Sequence, residues 1–334
     1  MAASYVGIDI GHGNCNIAVR DGDIRLITTQ MPENLVGEDR ITSPASLATF
    51  LKDLRRDEHI RARSCALALN ETTSFFRHVT LPAMSQKELA LNLPYEFRDF
   101  INGDTSDYVF DYLVDEVVND EEGKPQRLEL FAAAARKDLV ESATAALRKA
   151  GFKPQAVLPV QVLYARLIKE HIAQNPTDNT TCLVLVNVSF SSTTVTLFIG
   201  SHYEASKVIE VGCADLDTII ANVYGIDPYT AASYRRSDFE GVLETPDCQA
   251  VYDQLATEVS KVVNFFNFSN PDKDVERACV LGTGATIKPL TDTIEGSLSV
   301  DVLSAADLVP GLSDQPDAPS AALAFGALLE GEAI

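Results

Sequence analysis

The chain has 334 residues, 46% of them hydrophobic, which is enough for two globular domains with substantial cores. Its formal net charge of −21 argues against nucleic acid as a partner and against direct docking on anionic lipid. We expect no membrane-spanning segment and no signal peptide. The six scattered cysteines lack metal-site spacing and suggest buried thiols in a reducing cytosol.

The first predicted elements form a β-hairpin within residues 6–20, where two Val- and Ile-rich runs flank a short turn. Small and polar residues make up the turn: Gly11, His12, Gly13 and Asn14. Such a turn brings backbone N–H groups close to a ligand, which suits a phosphate. Asp9 ends the first strand, where its carboxylate would bind a metal ion or a water. A glycine-rich hairpin with no such role is the more common case.

The rest of the first half is predicted as one helix and three strands: a strand over 24–30, a helix over 46–54, and strands over 64–69 and 75–81. Together with the hairpin, this order is the usual opening of an actin-type half.

Residues 82–155 then follow a different order, helix-strand-strand-helix-strand, which we interpret as a small domain inserted at a surface loop. Its first helix begins at a capping box formed by Ser85 and Glu88, and is predicted to reach about residue 101 with a kink at Pro94. The elements that follow are strands over 107–118 and 127–135 and a helix over 136–150.

A helix over 159–173 is expected to return to the first half, and the linker over 174–180 is expected to be the hinge. A second hairpin over 181–199 then repeats the design of the first, with its apolar strand ending at Asn187. Hydroxyl residues dominate its turn: Ser189, Ser191, Ser192 and Thr193. Two facing phosphate hairpins from related halves resemble the nucleotide fold of actin, Hsp70 and sugar kinases.

Further predicted elements complete the second half: strands over 203–211, 276–281 and 300–303, helices over 215–224, 245–268, 289–298 and 321–329, a short helix after Asp227, and a loop over 307–317.

Several motifs, in order along nearly the whole chain, resemble the PilM family of actin-like type IV pilus assembly proteins and, more distantly, FtsA. They are GIDIG at 7–11, EFRDFI at 96–101, DY at 111–112, FAAAARKDLV at 131–140, AGFKP at 150–154, IEVG at 209–212, and VLGTGA at 280–285 with PL at 289–290.

The resemblance implies a duplicated α/β fold, the ribonuclease H-like actin-type ATPase fold, with two lobes around a nucleotide cleft and an FtsA-type inserted subdomain. The expected units are 1–81 completed by 156–180, the insertion over 82–155, and 181–334 with 214–275 as its smaller subdomain.

The resemblance also implies ATP with Mg²⁺ in the cleft, the metal being held by Asp9 through a water. The phosphates would meet the two turns and Asn187, and the ribose and adenine would lie on Gly282, Gly284 and Ala285. Glu258 and Lys261 would border the base, although an ordinary solvated i,i+3 pair is the other interpretation. Asp9 and Gln161 are the catalytic candidates, with Gln161 positioning water or serving as a plain helix-surface residue.

Three residues depart from the family pattern. Asn187 stands where the second motif usually begins with Asp, Asn16 replaces a common Lys, and His12 replaces a small Ser. Phosphate binding by backbone N–H groups survives such changes, whereas hydrolysis needs a positioned metal and water. We therefore expect weak or absent hydrolysis.

The expected function is a cytoplasmic nucleotide-binding scaffold of a pilus machine, held at the inner face of the membrane through a protein partner and not by insertion. Its partners would be the cytoplasmic N-terminal tail of a PilN-like inner-membrane protein, bound between the first and inserted subdomains, and other pilus assembly proteins. The alternatives are an FtsA-like division filament and a small-molecule kinase, and self-association stays open.

Overall fold

The computed structural model describes residues 4–37, 40–70, 72–270, 273–308 and 315–332. Residues 331 and 332 are described by their backbone alone. The expected loop over 307–317 therefore lies partly outside the described residues. The first half contains, in order, β1 (Tyr5–Ile10), β2 (Asn14–Arg20), β3 (Ile24–Gln30), α1 (Pro44–Asp57), β4 (Ser64–Leu69), β5 (Ser74–Pro82), α2 (Gln86–Asn92), β6 (Tyr108–Asn119), β7 (Pro125–Arg136), α3 (Lys137–Lys149), β8 (Lys153–Pro159) and α4 (Val160–Gln174).

The second half follows a short 3-10 helix, Pro176–Thr180, in the expected linker. It contains β9 (Cys182–Val188), β10 (Thr193–Ile199), β11 (His202–Ile209), α5 (Cys213–Tyr224), α6 (Pro228–Ser237), α7 (Pro246–Ser269), β12 (Arg277–Leu281), α8 (Lys288–Ser297), β13 (Asp301–Val302), α9 (Ala305–Leu308) and α10 (Ala322–Leu328).

The two halves have the same sheet topology, which confirms the predicted duplication. Among the described residues the strand orders are β3-β2-β1-β4-β8 and β11-β10-β9-β12-β13. In each sheet a three-stranded antiparallel meander is followed by two parallel strands. The hairpins even share a register, since Asp9 pairs with Asn16 in the first and Asn187 pairs with Thr194 in the second.

The C-terminal helix α10 packs on the first sheet rather than on the second half in which it was expected. Its described side chains are buried, and it contacts β1, β2, β4 and α4. The approach is so close that a Cβ on Gly7 would lie 1.8 Å from the carbonyl oxygen of Ala324. Side chains of α10 and α4 share one hydrophobic cluster with Leu185 and Phe198 of the second sheet, so these two helices join the lobes.

The inserted subdomain is smaller than predicted and begins earlier. β5, expected in the first lobe, pairs with β7 in a separate antiparallel sheet of order β5-β7-β6. At the other end, α3 packs on α1, and β8 pairs with β4, so both belong to the first lobe. The insertion therefore spans about 74–136 instead of 82–155. The alternation of apolar and polar residues within β5 predicts a strand, but it does not indicate which sheet that strand joins.

Two further expectations need correction. The α-helix that starts at the confirmed Ser85–Glu88 capping box ends at Asn92, and a 3-10 helix, Leu93–Phe97, replaces its predicted continuation. Pro94 explains this change because it has no N–H for the next helical hydrogen bond. The expected smaller subdomain over 214–275 has no separate core among the described residues, since its buried side chains share one cluster with β9 and β12.

The expected hinge carries a buried polar cluster centred on Asp178. Its carboxylate accepts hydrogen bonds from His171 Nε2 of α4 at 2.8 Å and from Arg277 Nη1 of β12 at 2.5 Å. His171 Nδ1 lies 3.0 Å from the carbonyl oxygen of Asp307. Asp178 thus ties the helix of the first half to a central strand of the second.

Replacing Asp178 by Ala is expected to lower the free energy of unfolding by about 2–4 kcal/mol, because Arg277 and His171 lose a buried partner. Urea unfolding at pH 7 measures this change. The control is Asp53→Ala, which removes an exposed partner of Arg56 and costs about 0–1 kcal/mol. Equal losses in the two variants would contradict a structural role for the cluster.

Candidate functional site

The two hairpin turns have the same four-residue geometry. The first runs from Gly11 to Asn14 and is closed by a hydrogen bond from the Gly11 N–H to the Asn14 carbonyl, at 2.9 Å. The second runs from Ser189 to Ser192 and is closed by the equivalent bond, also 2.9 Å. The two turns have no identical residue at equivalent positions, so the common register imposes the common shape.

The turns face each other across a cleft and touch. The rings of His12 and Phe190 lie 4.9 Å apart in an edge-to-face arrangement. A Cβ on Gly13 would lie 2.5 Å from Phe190 Cδ2, so only glycine lets the first turn pass this ring. Asn14 Nδ2 donates to Thr283 Oγ1 at 3.0 Å, a second bond between the lobes. Phe190 thus occupies space between the turns.

A third link crosses the cleft further out, where Arg236 Nη2 donates to Gln30 Oε1 at 2.6 Å. It joins α6 of the second lobe to β3 of the first. The cavity enclosed by the turns has a volume of about 90 Å³. That space holds several water molecules, but small-molecule sites usually start at about 300 Å³.

Asp9 lies at the floor of this cavity. Its Oδ2 accepts a hydrogen bond from Asn16 Nδ2 at 2.9 Å, and Asn16 Oδ1 in turn accepts one from Thr28 Oγ1. Its Oδ1 is buried and accepts no hydrogen bond from any residue that the structure describes. Burial raises the pKa of Asp9 to about 6, although the Asn16 hydrogen bond opposes the rise. An uncompensated buried carboxylate of this kind is suited to a cation or to a water bound to one.

Most predicted phosphate-side residues do meet in this cavity. The described residues that line it include Asp9, Gly11, His12, Gly13, Asn14, Asn187, Ser189, Ser191, Ser192 and Gly282. Gly282 has φ +85°, and a Cβ there would lie 2.4 Å from Asn187 Oδ1, so the loop after β12 packs directly against the second hairpin.

Six predicted residues lie elsewhere. Thr193 is buried with its hydroxyl donating to the Val211 carbonyl, because it alternates to the face opposite Asn187. Gly284 packs against Val188 and, like Ala285, does not line the cavity. Glu258 and Lys261 form an exposed pair on α7 at 2.7 Å, the solvated alternative. Gln161 lines a different cavity, so it is not the water-positioning residue of this cleft.

Several lining residues were not predicted: Phe190, Thr194, Thr283, Asn70 and Thr72. Thr194 could have been predicted from the sequence, because it is the cross-strand partner of Asn187 and its side chain lies on the same face of the sheet. Asn70 and Thr72 follow β4, and only the packed sheet brings that end of the strand to the hairpins.

The residues fit the phosphate and metal end of a nucleotide better than a whole nucleotide. Hairpin backbone and the free Asp9 oxygen suit phosphate and hydrated Mg²⁺. None of the described lining residues is Lys or Arg, so backbone N–H groups and side chains such as those of Ser191 and Ser192 would meet the phosphate charge. Nucleotide binding with a divalent metal is general among actin-like ATPase folds.

A second and larger cavity, of about 690 Å³, lies between the insertion, α4 and the turn before β11. We call it the intersubdomain groove. One wall is the sheet face of the insertion, which carries Phe76, Val109, Asp111, Leu113, Phe131, Ala133 and Ala135. The opposite wall is α4 with Gln161, Val162, Ala165, Arg166 and Lys169. Tyr203 stacks edge-on against Phe76, with ring centroids 5.2 Å apart, and closes one end.

Duplicated sheets, paired hairpins and an interlobe cleft define an actin-like protein. A family model described as "Type IV pilus assembly protein PilM" matches residues 8–323, and the chain belongs to this family. No helix among the described residues is both long and apolar enough to cross a membrane.

Solved structures agree on the fold. One described as "PilM-PilN type IV pilus biogenesis complex" superposes with a TM-score of 0.80 at 21% identity, covering 99% of each chain. The ethanolamine utilization protein EutJ from Carboxydothermus hydrogenoformans superposes with a TM-score of 0.60 at 13% identity, covering 98% of this chain and 90% of that one. A search of curated protein sequences finds no significant match.

Replacing Asp9 by Asn is expected to stabilise the protein at neutral pH. Because the pKa of Asp9 is about 6 in the fold and about 4 when unfolded, its ionisation removes stability as pH rises through this window. Above pH 6, the difference between these two pKa values corresponds to about 3 kcal/mol in the free energy of unfolding.

Urea unfolding of both proteins at several pH values tests this prediction. The advantage of Asp9→Asn should grow between about pH 4 and pH 6 and stay constant above. Asp23→Asn, an exposed exchange, should leave the unfolding free energy unchanged. An advantage independent of pH would show that Asp9 is not the titrating group.

Proposed function

We propose that this chain is a cytoplasmic scaffold of a type IV pilus machine, which binds the cytoplasmic tail of a PilN-like inner-membrane protein in the intersubdomain groove. The observation that carries the proposal is the groove itself. Its volume of about 690 Å³ and its walls of Ala, Val, Leu and Phe suit a short apolar peptide segment. A relative of the same fold is described as a PilM-PilN complex, which supports a tail of this kind.

Charge supports a basic component in the tail. Residues 99–122 contain nine acidic residues and no basic one, and this stretch includes β6 at the rim of the groove. Asp111 and Asp115 line the groove on its β6 side, whereas Arg166 and Lys169 line it on its α4 side. Opposite charge across an interface accelerates and orients binding. Membrane attachment would then come through the partner, and family membership disfavours the filament and kinase alternatives.

Filling the groove should abolish tail binding. Ala133→Trp places an indole on the sheet face that would contact the peptide, and we expect at least a tenfold loss of affinity, which is about 1.4 kcal/mol. The probe is a fluorescein-labelled synthetic peptide of the tail of the PilN-like protein from the same organism, followed by anisotropy.

The matched control is Val223→Trp, which adds the same side chain at an exposed position on α5. It should bind the peptide as the unmodified protein does. Undiminished binding by Ala133→Trp would place the tail elsewhere.

We also propose that the cleft binds the phosphates of Mg–ATP without appreciable turnover. The two hairpin turns would hold the phosphates, and Asp9 would hold the metal through water. Bound Mg²⁺ supplies charge neutralisation at the phosphates. Asn187 is neutral where the family usually has a carboxylate, and Gln161 faces the groove, so neither of these two positions supplies the described cleft with a group that activates an attacking water.

Removing the aromatic contact between the turns should favour nucleotide. Phe190→Ala clears space beside Gly13 and His12, so we expect Mg–ATP to bind about tenfold more tightly than to the unmodified protein in calorimetric titrations. Asn187→Asp restores the missing carboxylate and should produce measurable phosphate release. Brisk hydrolysis by the unmodified protein, or weaker binding by Phe190→Ala, would contradict this account of the cleft.

A further inference from the structure

The first turn of α4 presents an unsatisfied amide to the intersubdomain groove. Gln161 is only 3% exposed, and its Oε1 is enclosed and makes no hydrogen bond to any described residue. Burying a polar group without a partner is destabilising, and such groups are rare in folded proteins.

Three neighbours of Gln161 along the chain also line the groove, and these residues, Pro159, Val162 and Ala165, carry no polar side-chain atoms. A carboxamide places one acceptor and one donor side by side, which matches the edge of a peptide bond or of another carboxamide. This match holds whichever way the amide is oriented.

We infer that Gln161 is the specificity-determining residue of the intersubdomain groove, pairing with an amide of a bound apolar peptide while Asp111 and Asp115 pair with a basic side chain of that peptide. The inference rests on the proposed function, since it requires a peptide in the groove. The bound segment would then have three features. Its apolar side chains face the Ala and Val walls, one of its amides pairs with Gln161 of α4, and one Lys or Arg faces β6.

The charge distribution favours such a peptide over a second copy of this chain. A second copy also carries a formal charge of −21, so its approach to the acidic β6 rim is repelled. A short basic peptide carries positive charge, so the acidic β6 rim attracts it.

The decisive variant is Gln161→Leu, which keeps the bulk of the side chain and removes its amide. Because an unsatisfied group disappears, unfolding in urea should be unchanged or shifted to higher concentration. Binding of the labelled tail peptide should weaken about 5- to 50-fold, because the peptide amide loses its partner. Gln155→Leu changes an exposed glutamine of β8 and is the matched control, with unchanged affinity.

A peptide series completes the test. Single exchanges of amide-bearing side chains for Ala, and single backbone N-methylations, should include one that weakens binding to the unmodified protein and causes no further loss with Gln161→Leu. Tight binding of the parent peptide by Gln161→Leu would overturn the inference and leave the groove assignment intact. Absence of peptide binding by the unmodified protein would overturn the proposed function and this inference with it. A dimer that Ala133→Trp dissociates would assign the groove to a second copy, which also overturns it.

Discussion

The close packing of α10 on β1 is the constraint on which the two-lobed structure depends. Gly7 has no Cβ, and only for that reason can the backbone of α10 reach the middle strand of the first sheet. Gly326 allows the same helix to approach Leu163 of α4, with which a Cβ would be in tight contact at 3.0 Å. The last helix of the chain therefore completes the core of the first lobe and fixes how the lobes meet.

That fixed meeting brings two equivalent hairpins together with unequal chemistry. The first hairpin carries the buried carboxylate of Asp9, whose Oδ1 accepts no hydrogen bond from a described residue. The second hairpin carries the amide of Asn187 at the matching position. The rings of His12 and Phe190 contact each other where the two turns meet. The duplication thus preserves one architecture while the two hairpins carry different side chains, which illustrates that fold alone does not fix activity.

The groove gives this architecture a second point of contact with the outside. The inserted sheet packs its α2 side on its own small core and leaves the other face, with Phe131 and Ala133, toward α4. Tyr203 of the second lobe closes one end of that space. Both lobes and the insertion therefore contribute to one surface, so a change in lobe orientation at the hinge would also reshape the groove.

Local sequence determined the strands, the turns and the caps. The strands over Ile24–Gln30 and Ser64–Leu69 match prediction to the residue, because a turn at 21–23 precedes the first and Asn70 ends the apolar run of the second. The order of motifs identified the family. Only tertiary structure decided that β5 joins the insertion and that Gln161 faces the groove. These outcomes depend on which distant elements pack together, and a periodic pattern along one strand or helix carries no information about its neighbours in space.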